Sequence, residues 1–430
     1  ASACSAASVL AGVVGWSGAG AAVRAALFCN VARRALAAAD LIAGVGTDDY
    51  VRRTGAVPVA SFTATKLRGL RDAEPANAAR VAAVALPHDW LTWRLRGYGP
   101  ADESPLGPLL EELTTDRSEA SGSGYWSPAT GEYDLELFER ALGHPAILPR
   151  VLGPGMAAGT TVALPGSRVP AGIVVGPGAG DNAGAALGLG AGAGDVVVSI
   201  GTSGTVFAVA EWPAMDPTGA VAGFADASGL FLPLVATLNA ARVLGSIAGL
   251  LGVDHDGLAR LALEAEPGSA GVVLVPYFEG ERTPNLPEAT ASLHGLTIAS
   301  STRANIARAA IEGMLCGLAA GLDAVRVVGV NEERIMLIGG AAQNIAVTTI
   351  AAQVFDAPVV VPAPGEYVAD GAAVQAAWAL TGEHPIWPLH IIAEPTPDHR
   401  PVIRDQYARY ASRLPAPPPP TAVHPVALPS

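Results

Sequence analysis

The sequence has a single lysine, Lys66, among its 430 residues. The phosphate loop of P-loop enzymes requires a glycine followed by lysine and then serine or threonine. Lys66 follows a threonine, so no glycine–lysine pair occurs anywhere in the chain. This absence excludes the P-loop class of nucleotide-binding proteins.

Cysteine is also scarce, since Cys4, Cys29 and Cys316 are the three in the chain and lie far apart. They do not have the close spacing of zinc ligands, and a sparse, odd number of cysteines is typical of the reducing cytoplasm. We therefore expect a cytoplasmic protein that contributes no metal ligands of its own.

Positive charge is limited as well, with 26 lysine and arginine residues against 39 acidic ones and a net charge of −13. Proteins that bind nucleic acids usually carry a basic surface. The mean hydropathy of +0.36 reflects many alanines and glycines, and no uninterrupted apolar run reaches membrane-spanning length. We expect neither nucleic acid nor membrane as a partner.

The length and the 50% hydrophobic content allow two or three domains with substantial cores. Apolar runs typical of buried strands alternate with segments typical of helices through most of the chain. This alternation predicts an α/β fold.

The most informative stretch runs from residue 171 to residue 210. An apolar run over 171–175 leads into a glycine-rich turn and then to Asp181, at the start of a predicted helix, with Asn182 beside it. A second apolar run ends in a glycine turn that contains Gly201, Thr202 and Ser203. Hydroxyl and N–H groups at the end of a strand can bind phosphate, so the stretch indicates a group-transfer site.

Two other interpretations of this stretch are open. An aspartate that opens a helix is usually an N-cap residue. Gly178, Gly180 and Ala183 also fit the dinucleotide-binding pattern, which requires an acidic residue about twenty positions further on. The corresponding position is occupied by residues 199–201, Ser-Ile-Gly, so the dinucleotide interpretation loses support.

The second half of the chain again shows apolar strands, glycine turns and helices in succession. A helix is predicted over 235–252 with Asn239 in its first turns, and Ser301 or Thr302 is expected to cap a long helix that ends near 327. A buried strand over 334–338 is expected to end in Gly339 and Gly340, and a helix over 346–355 to follow.

Seven motifs in order carry a resemblance to a known family. They are LPHDWLTWRLRG, TDRSEASGSGYW, GAGDNAGAALG, SIGTSGT, PYFEGERTPN, IGGAAQN and the late DGAAVQAAW helix. Together they resemble the FGGY family of carbohydrate kinases, over residues 20–390. The resemblance implies an α/β fold of two actin-like ATPase (ribonuclease H-like) domains, with the active site in the cleft between them.

The resemblance also assigns roles. Asp181 matches the family's general base, and ATP with Mg²⁺ is implied as phosphate donor. The residues implied to bind the nucleotide are Gly201, Thr202 and Ser203, in a phosphate turn, Gly339, Gly340 and Asn344, in an adenosine turn, and Asn239. Asp181, Asn182 and Asn30 are implied to bind the sugar. His88 and Asp89 are interpreted instead as the structural junction of a strand and a helix, and Asp116 as part of a capped loop.

The start of the chain departs from the family pattern. The family's opening Asp-x-Gly-Thr phosphate loop has no match, its sugar loop is replaced by SVLAGVVGW, and only Asn30 remains of a Trp-Asn-Asp turn. We therefore expect a missing N-terminal piece. The predicted units are an incomplete sugar-binding domain over 1–184, a nucleotide-binding domain over 185–390 and a proline-rich tail over 391–430.

Several functions stay open. The first is an ATP-dependent kinase of a small ketose, D-xylulose before ribulose, glycerol or gluconate, with a homodimer as the expected assembly. The second is a catalytically impaired homologue that binds sugar or nucleotide. The altered N-terminal loops suggest this alternative. A dehydrogenase is a distant third.

Overall fold

The computed structural model describes residues 14–17, 22, 35–164 and 166–412. Strands in the N-terminal part are short. They are β1 (Val14–Trp16), β2 (Ala83–Ala85), β3 (Thr114–Asp116), β4 (Arg150–Leu152), β5 (Gly159–Thr160) and β6 (Val174–Val175). The helices of this part are α1 (Ala35–Ala43), α2 (Thr47–Thr54), α3 (Thr63–Ala73), α4 (Pro75–Ala78), α5 (Pro87–Leu95), α6 (Arg117–Ser121), α7 (Leu135–Leu142) and α8 (Asp181–Gly188).

The C-terminal part has longer elements. Its strands are β7 (Asp195–Ile200), β8 (Gly204–Ala208), β9 (Ala222–Ala225), β10 (Phe231–Thr237), β11 (Val273–Val275), β12 (Ser292–His294), β13 (Arg334–Ile338), β14 (Val359–Pro362) and β15 (Ile391–Ala393). Its helices are α9 (Ala241–Leu251), α10 (His255–Glu264), α11 (Arg303–Val327), α12 (Ile345–Val354), α13 (Tyr367–Thr381) and α14 (Pro401–Ala411). Within the described ranges, no helix is long and apolar enough to cross a membrane.

A seven-stranded sheet forms the centre of the C-terminal part, in the order β15-β14-β13-β7-β8-β10-β9. β8 is antiparallel to both β7 and β10, whereas β13 is parallel to β7 and β14 is parallel to β13. The carboxyl ends of β7 and β13 therefore meet at one edge. Open α/β sheets bind their ligands at such an edge.

The apolar run of β7 explains its place in the middle of this sheet. Val196 and Val198 pack in one core with residues of α11, and Val197 packs in another with residues of α8. Successive side chains of a strand point to opposite faces, so a strand covered on both faces is apolar throughout. α11 begins after Thr302, whose side chain accepts the N–H of Asn305 at 3.2 Å, as predicted.

The N-terminal part is built from small pieces packed on helices. β1 pairs with β2, β3 with β4, and β5 with β6, each as a two-stranded sheet. α3 and α7 supply much of a separate core, in which Leu67, Leu70, Leu137 and Phe138 are buried. Each part of the chain thus has its own core.

α8 packs tightly against α13, through glycines on both helices. A Cβ at Gly371 would overlap the carbonyl oxygen of Gly184, and one at Gly188 would overlap that of Tyr367. Because α13 belongs to the C-terminal part, α8 shares a core with the large sheet. The predicted boundary between residues 184 and 185 falls inside α8 and stays a prediction.

The predicted helix over 235–252 is wrong in its first part. β10 continues to Thr237, since residues 234–237 pair with β8, and α9 begins only at Ala241. Asn239 therefore lies in the connection between strand and helix, not in the first turns of a helix.

The folded chain also extends beyond the predicted start of the tail at residue 391. β15 adds an antiparallel edge strand to β14, and α14 buries Ile403 and Tyr407 in the large core. These apolar contacts hold residues 391–412 against the C-terminal part. Residues 413–430 lie outside the described ranges.

Candidate active site

Two glycine turns lie side by side where β7 and β13 end. In the pairing of these strands Ile338 lies opposite Ser199, and Gly339 follows with φ at 97°. A Cβ at Gly339 would lie 2.5 Å from the carbonyl oxygen of Ile200, so a side chain at this position is excluded. The structure therefore brings the predicted phosphate turn and the predicted adenosine turn to one edge of the sheet.

The predicted phosphate turn is exposed at Thr202 and Ser203. The carbonyl oxygen of Gly201 accepts the N–H of Ala241, the first residue of α9, at 2.9 Å. The N-terminus of α9 thus lies against this turn. The partial positive charge at a helix N-terminus stabilises an anion such as phosphate.

The predicted adenosine turn continues into a short 3₁₀ helix over Gly340–Gln343. Gly340 is exposed, and no atom lies within 4 Å of the position that its Cβ would take. Asn344 caps α12, because its Oδ1 accepts the N–H groups of Ala346 at 2.9 Å and Val347 at 3.3 Å. Asn344 therefore has a structural role whether or not it contacts a nucleotide.

Asn239 is buried in a hydrogen-bond network. Its Nδ2 donates to the carbonyl oxygen of Gly280 at 2.8 Å and to Glu281 Oε2 at 2.9 Å, and its Oδ1 accepts from Arg242 at 3.1 Å. Glu281 also accepts the N–H of Leu238 at 2.6 Å. The amide of Asn239 is thus already used to hold the connection between β10 and α9.

Asp181 is the first residue of α8 and follows Gly180, which occupies the N-cap position. Its Oδ1 accepts hydrogen bonds from the N–H and the Nδ2 of the next residue, Asn182, at 2.8 and 2.9 Å. An N-cap side chain bonds N–H groups two or three residues further on, so the N-cap interpretation is wrong. Burial raises the pKa of the Asp181 carboxyl, although the hydrogen bonds from Asn182 oppose the increase.

A hydrogen bond connects the start of α8 to the phosphate turn. Thr205, in β8, donates to Asn182 Oδ1 at 3.4 Å. Asp181 therefore lies at the same edge of the sheet as Gly201, Thr202 and Ser203. A carboxylate beside a phosphate-sized turn is the arrangement that a phosphoryl transfer to a hydroxyl group needs.

The glycine loop before Asp181 is held from both parts of the chain. Gln375, buried in α13, donates to the carbonyl oxygen of Gly178 at 2.6 Å and accepts the N–H of Gly178 at 3.1 Å. On the other side, Ser118 Oγ accepts the N–H of Gly180 at 2.9 Å. These bonds fix the direction in which the chain enters α8.

Buried ionisable groups lie behind this loop. His88 Nε2 is 3.0 Å from Asp89 Oδ1 and 3.2 Å from Asp116 Oδ2, and all three side chains are buried. Although burial lowers it, the pKa of His88 is raised to about 10 by the charge of Asp89 and by contacts with Asp116, while the same imidazolium holds the pKa of Asp116 below its ordinary value. The two neighbouring carboxyl groups thus favour the protonated form of His88.

The interpretation of these residues as structural agrees with the contacts that they make. Asp116 caps α6, since its Oδ1 accepts the N–H groups of Ser118 at 2.7 Å and Glu119 at 3.2 Å. Asp89 Oδ2 accepts the N–H of Leu86 at 2.7 Å at the junction of β2 and α5.

Sequence reasoning missed two residues of this region, Gln375 and Glu119. Both lie in motifs that carried the family resemblance, DGAAVQAAW and TDRSEASGSGYW. The sequence does not show that either residue lies near the loop before Asp181. Asn30, expected to bind sugar, lies outside the described residues.

Models of two domains of one family match most of the chain. The N-terminal domain of the FGGY family of carbohydrate kinases matches residues 3–188, and its C-terminal domain matches residues 196–380. The chain belongs to the FGGY family of carbohydrate kinases, whose members use ATP as phosphate donor. The predicted fold class, two actin-like ATPase domains, is confirmed.

Several relatives are named as xylulose kinases. The xylulose kinase of Streptomyces coelicolor is 43% identical over 374 residues, which are 86% of this chain and 73% of the relative. That of Streptomyces rubiginosus is 43% identical over 379 residues, 87% of this chain and 73% of the relative. The crystal structure of xylulose kinase from Bifidobacterium adolescentis has a TM-score of 0.85 at 42% identity and covers 93% of this chain and 85% of its own.

Proposed function

We propose that this protein phosphorylates D-xylulose with ATP to give D-xylulose 5-phosphate and ADP. The observation that carries the proposal is the hydrogen bond from Thr205 to Asn182, which holds Asp181 at the edge of the phosphate turn. The choice of sugar is supported by the two Streptomyces xylulose kinases, at 43% identity. A cytoplasmic location and a homodimer belong to the same proposal.

In the proposed reaction, Asp181 acts as the general base. Its carboxylate accepts the proton of the 5-hydroxyl group while that oxygen attacks the γ-phosphorus of ATP, and the bond from the γ-phosphorus to the bridging oxygen breaks to release ADP. A hydroxyl group is a poor nucleophile at neutral pH, so a positioned base contributes directly to the rate. The hydrogen bonds from Asn182 orient the carboxylate and keep it from turning away.

The two glycine turns supply the nucleotide site in this proposal. Gly201, Thr202 and Ser203 hold the β- and γ-phosphates, and Gly339 and Gly340 border the adenosine. Asn239 holds the connection that leads into α9, whose N-terminus lies against the phosphate turn, and Asn344 caps α12, which follows the adenosine turn.

Mg²⁺ is proposed to accompany ATP. Mg²⁺ in kinases is bound mainly by the substrate phosphates, water and one or two carboxylates, so it does not require a cluster of protein ligands. When bound, the ion would neutralise charge on the phosphates.

A turnover assay with binding measurements tests the proposal. ADP release from ATP and Mg²⁺ is measured with D-xylulose, ribulose, glycerol or gluconate, and binding of ATP and each sugar is followed by calorimetry. We expect the highest kcat/KM with D-xylulose. Binding of both ligands without turnover would favour the alternative, a catalytically impaired homologue, which the altered N-terminal loops support.

The adenosine assignment can be tested at Gly340. Gly340→Arg is expected to weaken ATP binding at least about tenfold, because the side chain enters the space in which adenosine is proposed to lie. The fold is expected to remain, since that space is open. Calorimetric titration with ATP measures the effect, and Gly192→Arg, at another exposed and open glycine, is the control. Equal ATP affinity in both variants contradicts the assignment.

A further inference from the structure

Glu119 lies in α6 with its carboxyl group against the loop that leads into Asp181. Glu119 Oε1 is 3.1 Å from the position that a Cβ of Gly180 would take. The neighbouring Ser118 accepts the N–H of Gly180 at 2.9 Å, so α6 and this loop are in direct contact. The Glu119 carboxyl group therefore lies next to the residue that precedes the proposed base.

The Glu119 carboxyl group is not used by the surrounding protein. Within residues 35–164 and 166–412, no hydrogen bond to its oxygens is found, although its own backbone N–H donates to Asp116 at 3.2 Å. The residue is half-buried, so a ligand can reach its carboxyl group. Because a polar group that is partly withdrawn from water gains from a hydrogen-bond partner, this carboxyl group is placed to bind a ligand.

Several charges surround Glu119 from three elements. His88 and Asp89 approach from α5, Asp116 from the end of β3, and Asp181 from α8. Burial raises the pKa of Glu119 to about 8, and the three aspartates add to the increase, whereas the His88 cation opposes it. At pH 7 Glu119 is therefore mostly protonated and able to donate a hydrogen bond.

We propose that Glu119 is a further sugar-binding residue of this site, whose carboxyl group forms a hydrogen bond with an oxygen of the substrate. This inference rests on the proposed function, because it requires the sugar to lie beside Asp181. An uncharged donor binds the sugar without adding a negative charge next to the base and the γ-phosphate. Such a charge would repel both.

Two substitutions at this position distinguish the contribution of the hydrogen bond to sugar binding from that of the carboxyl group itself. Glu119→Ala is expected to raise the KM for D-xylulose about tenfold, the effect of one hydrogen bond, while the KM for ATP stays unchanged. Glu119→Gln is expected to stay within about threefold of the wild type, since its amide can also donate. The exposed Glu111→Gln serves as a control for the loss of an acidic group.

The pH dependence gives a readout that a purely structural role would not change. As the pH rises from 7 to 9, Glu119 loses its proton near pH 8 and its donor with it. The wild-type kcat/KM for D-xylulose is therefore expected to fall about tenfold over this range. Glu119→Gln is expected to lack this decline, because its amide group does not titrate in this pH range.

The outcomes distinguish this inference from the proposed function. If the wild type phosphorylates D-xylulose but Glu119→Ala keeps its KM for the sugar, Glu119 does not bind the sugar. If Glu119→Gln shows the same alkaline decline as the wild type, the donor is another group, even where Glu119→Ala fails to fold. A wild type that neither binds nor phosphorylates D-xylulose overturns the proposed function and this inference together.

Discussion

Replacing Asp181 with asparagine is expected to reduce kcat with D-xylulose by about 10²–10⁴-fold, the range in which general bases contribute. Asparagine has nearly the same size as aspartate and can still accept the hydrogen bonds from Asn182. It cannot accept a proton at neutral pH. The variant should therefore bind ATP with Mg²⁺ as the wild type does and melt within a few degrees of it.

The control for this substitution is Asp254→Asn. Asp254 caps α10 by accepting the N–H of Gly257 at 2.7 Å, and asparagine is as good a cap as aspartate. This variant is expected to keep both its stability and its kcat. If Asp181→Asn also keeps its kcat, Asp181 is a structural residue and the proposed reaction requires another base.

Replacing His88 with leucine is expected to lower the free energy of unfolding by about 3–5 kcal/mol. The imidazolium lies 3.0 and 3.2 Å from the carboxyl groups of Asp89 and Asp116, and all three side chains are buried. Leucine leaves these carboxyl groups buried without their counter-charge. Thermal unfolding should show a melting temperature about 10 °C lower than that of the wild type. His399→Leu, at an exposed histidine, should change it little.

The stability difference should also depend on pH. The pKa of His88 is raised from 6.5 to about 10, so its charge contributes fully to stability below pH 6.5. This contribution is lost as the pH rises through about 10. The gap in unfolding free energy between the wild type and His88→Leu should therefore be largest near pH 6.5 and shrink towards pH 10. A gap that does not change with pH would show that His88 is neutral in the folded protein.

The elements that the sequence predicted best are those with a clear capping or terminating residue. β13 has the predicted bounds, and Gly339 follows it at a turn where a side chain would overlap the chain. α11 begins after one of the two predicted caps, Thr302. In these elements the burial pattern and the terminating residue indicate the same structure.

The connection from β10 to α9 was predicted poorly because apolar residues predominate from 231 to 251. The isolated polar residues Thr237 and Asn239 are compatible with a continuous helix, and the strand is set by its pairing with β8, which no local pattern shows. The partners of Asn239, at Gly280 and Glu281, are likewise more than forty positions away.

The contacts around Asp181 join residues that are distant in the chain. Asp181 was recognised from its motif, whereas Glu119, 62 positions earlier, reaches it only through the fold. The hydrogen bond from Gln375 to Gly178 spans 197 positions. The sequence thus predicted loops that the structure brings together at one end of the sheet, but not the residues that hold them together.

The glycine contacts between α8 and α13 have a consequence for how the enzyme opens. Many enzymes close around their substrates to exclude water. Because the backbones of Gly184 and Gly371 lie in close contact, α8 is expected to move together with α13 and the large sheet. A displacement of the N-terminal part against them would break the hydrogen bond from Gly180 to Ser118.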